Sequence, residues 1–324
     1  GELTENLSEQ EIRELSANLV VHHYDISKSD LGLAKPLIAE LHHSVDTVFN
    51  CVGDTNFFPK NIEDLYGTNI DGVTNMIKTL CTPGILFNHL STAYVCGDRS
   101  GTIMEDDLDE DQGFKNPYEQ SKFLGEKRVK EVCEKQGVPF NIFRPSIVIR
   151  QHSVHGKSPN LNHFYSFIGL IDILRQDAQT EDHVSPKDKV KIEVRFLGAK
   201  QSTLNFVDLD YVVLAMLEIT RKVKSGGATY HLVNPHPMTN QQFLEAVMDI
   251  YRIEGFEIIE DKAAFKELNF RERLIKRGLA NYIEYFYVDP RFNDKNVRAV
   301  LKGSGIACPK FDRDYIARAV GHLA

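Results

Sequence analysis

Residues 116–122, Asn-Pro-Tyr-Glu-Gln-Ser-Lys, have the features of a helix start. Asn116 suits the N-cap, Pro117 suits the first helical turn, and Gly137 is a typical C-terminal stop. Tyr118 and Lys122 are four residues apart, so they lie on one face of the predicted helix. The same stripe continues through Gly125, Val129 and Val132. An ionisable pair at the outer end of a buried stripe can form the floor of a cleft, where catalytic groups are found.

Short apolar strands alternate with helices on both sides of this stretch. The pattern predicts strands over residues 18–25, 45–53, 85–90 and 140–145, and helices over residues 9–17, 37–41 and 61–80. Such alternation is typical of a parallel sheet covered by helices on both faces, with ligands at the carboxyl ends of the strands. We therefore predict an α/β protein with a Rossmann-type, doubly wound parallel sheet.

The alternation stops after Ile149. Residues 151–193 are polar and irregular, and we predict a solvated insertion there. A strand (203–207), a helix (208–222) and a strand (229–233) follow, and the remainder from Met238 has a mainly helical pattern that includes an amphipathic helix over 240–253. We expect residues 1–150, completed by about 203–235, to form the Rossmann-like domain. Residues 151–202 and 236–324 would form a smaller, mainly helical substrate-side domain.

The composition is that of an ordinary globular protein. A net charge of −8 over 324 residues argues against a general nucleic-acid binder, which would be basic. No apolar run is long enough for a membrane span, and the first residues lack the order of a signal peptide. The five cysteines are widely spaced without a CxxC pair, so we expect buried thiols in a reducing, cytoplasmic compartment.

A metal site is not expected. His152 and His155 have a spacing that could bind a metal, but no third ligand completes a pattern around them. Solvated histidines are the better interpretation.

Two hydroxyl groups stand where they could assist the Tyr118 and Lys122 pair. Ser91 and Thr92 directly follow the strand at 85–90, so we expect them at the carboxyl edge of the sheet. A nearby ammonium group favours a phenolate and lowers the pKa of a tyrosine, which makes Tyr118 a candidate general acid. A hydroxyl can polarise the carbonyl that this acid protonates. Without these neighbours, an i,i+4 pair on a helix surface would be the better interpretation.

Together these motifs resemble the extended short-chain dehydrogenase/reductase superfamily, and within it the thioester reductase and fatty acyl-CoA reductase (male-sterility) branch. The resemblance covers nearly the whole chain, firmly to about Val233. It rests on YEQSK at 118–122, STAYV at 91–95, NIDG at 69–72, Arg144-Pro145, residues 25–33, LNFVDLDYV at 204–212 and YHLVNP at 230–235.

The resemblance implies roles for individual residues. Thr92 would polarise the carbonyl, Tyr118 would donate the proton, and Lys122 would hold the nicotinamide ribose. Asn69 would steady the network beside the lysine, with a packing or capping asparagine as an equal alternative. The cofactor would be NADP, with NAD as the alternative, and Asp25 and Ile26 would lie along its adenine. The full set of implied cofactor-binding residues is Asp25, Ile26, Asn50, Val52, Gly53, Ser91, Tyr118, Lys122, Pro145 and Ile147.

One family feature does not occur in the sequence. The glycine-rich phosphate loop, GxxGxxG after the first strand, has no counterpart. A helix N-terminus behind such a loop normally binds the pyrophosphate. We expect that the first βαβ unit is missing from these residues, through truncation or disorder, and that the chain alone is inactive.

The implied activity is the NAD(P)H-dependent reduction of acyl thioesters, carried by CoA or an acyl carrier protein, to an aldehyde or alcohol. One alternative is an extended dehydrogenase or epimerase acting on a nucleotide sugar or a sterol-like alcohol. Another is a non-catalytic sensor with a dinucleotide fold, which the absent phosphate loop would favour. The aromatic cluster of Tyr282, Tyr285, Phe286 and Tyr287 has two interpretations, the wall of an acyl channel or, with somewhat more weight, core packing. The sequence leaves the oligomeric state open.

Overall fold

The computed structural model describes residues 8–150, 163–181, 183, 185 and 188–321. The strands in chain order are β1 (Thr47–Asn50), β2 (Leu86–Leu90), β3 (Gly101–Ile103), β4 (Phe140–Pro145), β5 (Ile147–Ile149), β6 (Val190–Leu197), β7 (Thr203–Leu204), β8 (Phe206–Asp208), β9 (Ala228–Leu232), β10 (Met238–Thr239), β11 (Ile253–Ile259) and β12 (Pro290–Phe292). The α-helices in chain order are α1 (Glu9–Asn18), α2 (Lys35–Ser44), α3 (Ile62–Tyr66), α4 (Val73–Leu80), α5 (Pro117–Gln136), α6 (His163–Glu181), α7 (Leu209–Lys222), α8 (Asn240–Ile250), α9 (Phe270–Gly278), α10 (Lys295–Leu301) and α11 (Arg313–Val320).

The central sheet contains four parallel strands in the order β1-β2-β4-β9. Side chains alternate between its two faces, so neighbours on β4 point to opposite sides. Ile142 packs with α4 and α5 on one face, while Phe143 packs with α7 and α10 on the other. The predicted parallel sheet with helices on both faces is therefore confirmed.

The helix that carries Tyr118 has the predicted start and stop. Asn116 is the N-cap, where its side chain accepts a hydrogen bond from the backbone N–H of Glu119, and Pro117 is in the first turn. Gly137 ends the helix with a left-handed backbone, φ 65°, which glycine adopts without steric cost. These local signals place Tyr118 in the first turn of α5, where its side chain lies beside the edge of the sheet.

A second group of elements packs beside the sheet. Helices α6, α8, α9 and α11 surround the parallel pair β6 and β11, and their apolar side chains share one core cluster. This part of the chain contains more strand than the mainly helical pattern predicted. The strand β11 escaped prediction because its register shifts at Gly255, φ 95°, which interrupts the alternation of buried residues.

Two other predictions from the sequence are wrong. Residues 18–25 do not form a strand, and Leu19, Val20 and Val21 are 58%, 75% and 72% exposed. A strand requires a neighbour for its backbone hydrogen bonds, and the described β1 pairs with β2 alone. The segment 151–193 is not a solvated insertion in its described part, because α6 buries Phe164, Phe167, Ile168, Ile171 and Leu174 in the core.

Candidate active site

The hydroxyl groups of Thr92 and Tyr118 meet at the carboxyl edge of the sheet. Thr92 stands just beyond β2 in an extended conformation, and its Oγ1 accepts a hydrogen bond from the backbone N–H of Tyr94 at 3.3 Å. That bond starts the short helix Ala93–Cys96 and orients the threonine. Tyr118 is the second residue of α5, and its phenol lies near enough to the Thr92 hydroxyl for that hydroxyl to favour the phenolate. Two donors are thus adjacent, as polarisation of one carbonyl oxygen requires.

Tyr118 holds its proton firmly. Burial raises the pKa of the phenol to about 12, and the nearby Thr92 hydroxyl opposes only part of this rise. The expected lowering of the Tyr118 pKa by Lys122 is therefore not observed. The Lys122 ammonium instead donates to the backbone oxygen of Leu90 at 2.7 Å. A phenol that remains protonated at neutral pH is suited to donate a proton in a reduction.

Lys122 is buried beneath the site. Burial lowers its pKa to about 8, while the nearby Glu126 and Cys51 raise it. The side chain lies beside the loop that follows β1, because a Cβ atom on Gly53 would be 3.6 Å from its Nζ. The lysine therefore borders both the sheet edge and the backbone at Gly53.

Asn69 connects the loop after β1 to α5. It lies in a π-helical segment, Gly67–Gly72, a geometry that is frequent at functional sites. Its amide oxygen accepts from the N–H of Asp54 at 2.8 Å, and its amide nitrogen donates to the Asp54 carbonyl at 2.9 Å and to Ser121 Oγ at 2.8 Å. Asn69 thus fixes the loop after β1 and the first turns of α5 relative to each other.

The remaining residues predicted near the cofactor follow the strand ends. Asn50 ends β1, and its amide is 3.1 Å from His89 Nδ1. Val52 donates its N–H to Asn50 Oδ1 at 3.3 Å. Ser91 is buried, and its hydroxyl has no hydrogen-bond partner among the described residues. Pro145 and Ile147, at the end of β4 and the start of β5, line the adjoining cavity.

These strand ends fit a cofactor that approaches the backbone closely. A Cβ atom on Gly53 would lie only 3.4 Å from Asn69 Oδ1, so the glycine keeps space open beside Lys122. The buried, unpaired Ser91 hydroxyl offers a polar contact in the same region.

Ile26 lies against the start of α4, and Asp25 precedes it in an exposed turn. Ile26 contacts Gly72 and its carbonyl accepts from Asn75 Nδ2 at 3.0 Å. The Asp25 carboxylate accepts from the N–H and hydroxyl of Ser27 at 3.0 and 2.6 Å, and these bonds lower its pKa. Asp25 is exposed to solvent.

A cavity of about 640 Å³ opens beside Thr92 and Tyr118. It is lined mainly by aromatic and aliphatic side chains, and among the described residues that line it Asp54 is the charged one. Its aromatic lining residues are Phe57, Tyr94, Tyr118, Phe164, Phe167, Phe206, Phe243, Tyr282, Tyr285 and Phe286. This is the composition expected of a site for a largely apolar ligand.

The structure reconciles the two interpretations of the aromatic segment near residue 285. Tyr282, Tyr285 and Phe286 line the cavity, and Phe286 also belongs to the core cluster around β6 and β11. Sequence reasoning missed Phe164 and Phe167, although their spacing along α6 was a readable helical signal. It also missed Phe57, whose ring stacks on Tyr118 with centroids 5.4 Å apart. No local pattern marks Phe57, because it lies in an irregular loop.

The described residues contain no cluster of His, Cys, Asp or Glu suited to hold a metal ion. His152 and His155 lie outside the described residues. Within the described part of the chain, no helix has both the length and the apolar character to cross a membrane.

Comparison with known proteins decides the family. A model of the Male sterility protein family matches residues 2–216. The chain belongs to the Male sterility protein family. This confirms the resemblance found in the YEQSK and STAYV motifs, since that family is the branch to which they pointed.

Two curated relatives are similar to parts of this chain. Isonitrile lipopeptide synthase of Mycobacterium tuberculosis is 26% identical over 235 residues, which is 69% of this chain and 9% of the synthase. Fatty acyl-CoA reductase 8 of Arabidopsis thaliana is 27% identical over 167 residues, which is 48% of this chain and 33% of that protein. The chain therefore corresponds to only part of the length of these relatives.

A solved structure shows the same fold. The terminal R domain from the myxalamid PKS-NRPS biosynthetic pathway superimposes with a TM-score of 0.75 at 20% identity, over 96% of this chain and 76% of that domain. At this level of identity the likeness shows a shared fold.

Proposed function

We propose that this chain is the catalytic part of an NAD(P)H-dependent reductase that converts acyl thioesters to an aldehyde or alcohol. One observation carries the proposal. The hydroxyls of Thr92 and Tyr118 both line a cavity whose other lining residues are mainly aromatic and aliphatic. A carbonyl placed at the hydroxyls would leave its acyl chain in the apolar part of the cavity. The match to the Male sterility protein family and the similarity to a fatty acyl-CoA reductase support the same assignment.

The proposed roles follow from the geometry. We propose that Lys122, Asn50, Gly53 and Ser91 would hold a nicotinamide, which when bound would supply hydride to the thioester carbonyl carbon. As negative charge develops on the carbonyl oxygen, Thr92 and Tyr118 donate hydrogen bonds to it. Donors of this kind each contribute roughly two to three orders of magnitude in rate.

The proton comes from Tyr118. Its phenolic proton passes to the carbonyl oxygen, which completes the addition of one hydride and one proton. The carbon–sulfur bond then breaks, the thiolate leaves and takes a proton from solvent, and Tyr118 regains its own proton from the hydroxyl group. The products are an aldehyde and a thiol, and a second round of hydride and proton addition would give an alcohol.

The remaining cofactor assignments are extensions of this proposal. Val52, Pro145 and Ile147 would border the nicotinamide, Asp25 and Ile26 the adenine, and Asn69 would steady the lysine side of the site. NADP is preferred over NAD on the family resemblance. The substrate would be carried by CoA or by an acyl carrier protein.

We also propose the domain division and a cytoplasmic location. Residues 1–150 with about 203–235 would hold the cofactor, and residues 151–202 and 236–324 would hold the acyl group. The location is supported by the five cysteines, which are all free thiols.

The nucleotide-sugar alternative finds little support in the cavity. A diphosphate favours basic side chains, whereas the described lining contributes one charged residue, the acidic Asp54. A substrate screen distinguishes the cases. The full-length protein is mixed with NADPH and an acyl-CoA, a nucleotide sugar with a keto group, or a ketosteroid, and the nicotinamide absorbance is followed. Oxidation with the acyl-CoA supports the proposal, and oxidation with either other compound alone would refute it.

A further inference from the structure

Tyr285 joins the C-terminal part of the chain to the helix that carries Tyr118. It lies in a short 3₁₀ turn, Ile283–Phe286, far along the sequence from α5. Its hydroxyl donates to Glu119 Oε1 at 2.6 Å and accepts from Asn116 Nδ2 at 2.9 Å. Both partners flank Tyr118 in the first turn of α5. Tyr285 therefore bonds to the residues on either side of the Pro117-Tyr118 pair.

The partners of Tyr285 are themselves fixed. Glu119 is fully buried, its Oε2 accepts from the N–H of Lys115 at 3.0 Å, and its Oε1 lies 3.4 Å from Lys115 Nζ. The Lys115 ammonium also donates to the carbonyl of Gly97. Asn116 uses its oxygen to cap α5 and its nitrogen to bind Tyr285. Movement of the Tyr285 hydroxyl would thus disturb the helix cap and a buried carboxylate together.

Tyr285 is also connected to Tyr118 through the stacked ring of Phe57. Phe57 stacks on Tyr118 with centroids 5.4 Å apart and planes 17° apart, and on Tyr285 with centroids 5.8 Å apart and planes 30° apart. All three rings line the cavity. An occupant of the cavity therefore contacts the ring of Tyr285 while the hydroxyl of that tyrosine holds the start of α5.

We propose that Tyr285 is a positioning residue for Tyr118. Its hydroxyl fixes the first turn of α5 through Glu119 and Asn116, and its ring faces the acyl group, so that a filled cavity keeps Tyr118 against Thr92. This inference rests on the proposed function of Tyr118 as proton donor. A displacement of about 1 Å at a reacting group can lower a rate by roughly a hundredfold. Tyr285 would therefore affect catalysis without touching the reacting atoms.

The main test is Tyr285→Phe, which keeps the ring and removes the hydroxyl. We expect kcat for acyl-CoA reduction to fall roughly ten- to a hundredfold, with KM for acyl-CoA nearly unchanged because the cavity wall is retained. Tyr287→Phe is the matched control. Tyr287 does not line the cavity, and its hydroxyl has no hydrogen-bond partner among the described residues. An unchanged kcat in Tyr285→Phe, or an equal loss in both variants, would overturn the inference.

A readout that does not need catalysis separates this inference from the proposed function. Hydrogen–deuterium exchange at the backbone amides of residues 118–123 should become faster in Tyr285→Phe and stay as in the wild type in Tyr287→Phe. Unchanged exchange in Tyr285→Phe contradicts the positioning role of Tyr285, even if the wild-type protein reduces no thioester. If the wild-type protein reduces no thioester but exchange is faster in Tyr285→Phe than in Tyr287→Phe, the proposed function is refuted and the positioning role of Tyr285 stands.

A second variant, Glu119→Gln, tests the same contact from the other side and remains informative if Tyr285→Phe folds poorly. Glutamine keeps an oxygen acceptor for the Tyr285 hydroxyl but loses the ion pair with Lys115. We expect a smaller loss of kcat than in Tyr285→Phe, again without a change in KM. A larger loss would mean that the carboxylate, and not the Tyr285 hydroxyl, holds the helix start.

Discussion

The backbone oxygen of Asn69 lies so close to Gly125 that a Cβ atom on Gly125 would be 2.6 Å from it. This approach lets the π-helical segment and α5 touch backbone to backbone. It also lets Asn69 Nδ2 reach Ser121 Oγ at 2.8 Å. The glycine is therefore part of how the site is assembled, although it carries no chemical group.

Gly125→Ala should push the two segments apart. A contact of 2.6 Å to a backbone atom cannot be relieved by a side-chain rotation, so we expect a loss of roughly 1–3 kcal/mol in the free energy of unfolding, measured by urea denaturation. Gly169→Ala is the control, because Gly169 also lies within a helix and an added Cβ there meets nothing within 4 Å. It should stabilise the protein by about 0.5–1 kcal/mol. Equal effects of the two substitutions would contradict the packing described.

Lys122 should make stability depend on pH in a defined direction. Its pKa is about 8 in the folded protein and near the ordinary 10.5 when unfolded. Below pH 8 the folded state bears the full cost of a buried charge. Between the two pKa values the unfolded chain holds the proton more tightly, so the contribution of Lys122 to stability rises with pH, by about 3 kcal/mol across the window.

Comparison with Lys122→Met isolates this effect. The difference in unfolding free energy, variant minus wild type, should decrease as pH rises from about 8 to about 10. Lys135→Met, at an exposed position of α5, controls for the loss of one positive charge. A constant difference between Lys122→Met and wild type would show that the lysine is not desolvated as described.

Removing either hydroxyl of the Thr92 and Tyr118 pair should slow reduction. We expect kcat to fall roughly 10²- to 10³-fold in Tyr118→Phe and in Thr92→Val, with thermal unfolding little changed. Tyr66→Phe is the control, since its hydroxyl donates to Gln120 on the surface. Because the pKa of Tyr118 is about 12, the proton-donating form should persist through neutral and moderately alkaline pH. Wild-type rates in Tyr118→Phe would remove this residue from the mechanism.

Sequence reasoning succeeded where structure is specified locally. The Asn116 cap, Pro117 and Gly137 define α5, and apolar runs define β2 and β4, because these signals act within a few residues. Parallel order then places the end of β2 beside the start of α5. The meeting of Thr92 with Tyr118 follows from that topology.

Prediction from the sequence failed where the contacting residues are far apart along the chain. The apolar run at 18–25 resembles a strand, but pairing depends on neighbours that the run cannot specify. The role of Phe57 depends on contacts with Tyr118, Tyr282 and Tyr285, which only the folded chain brings together. The wrong prediction of a solvated insertion at α6 has a different cause. The helical spacing of its apolar residues is present in the sequence, but the polar residues that flank it obscured the pattern.

The products formed from an acyl-CoA test the central claim most directly. The full-length protein is incubated with NADPH and an acyl-CoA with a simple alkyl chain, and oxidised nicotinamide, free CoA thiol, aldehyde and alcohol are quantified together. The account predicts one CoA thiol released per thioester consumed, with one nicotinamide oxidised for each aldehyde and two for each alcohol, and loss of all products in Tyr118→Phe. Nicotinamide oxidation without thiol release, or thiol release that does not depend on NADPH, would contradict it.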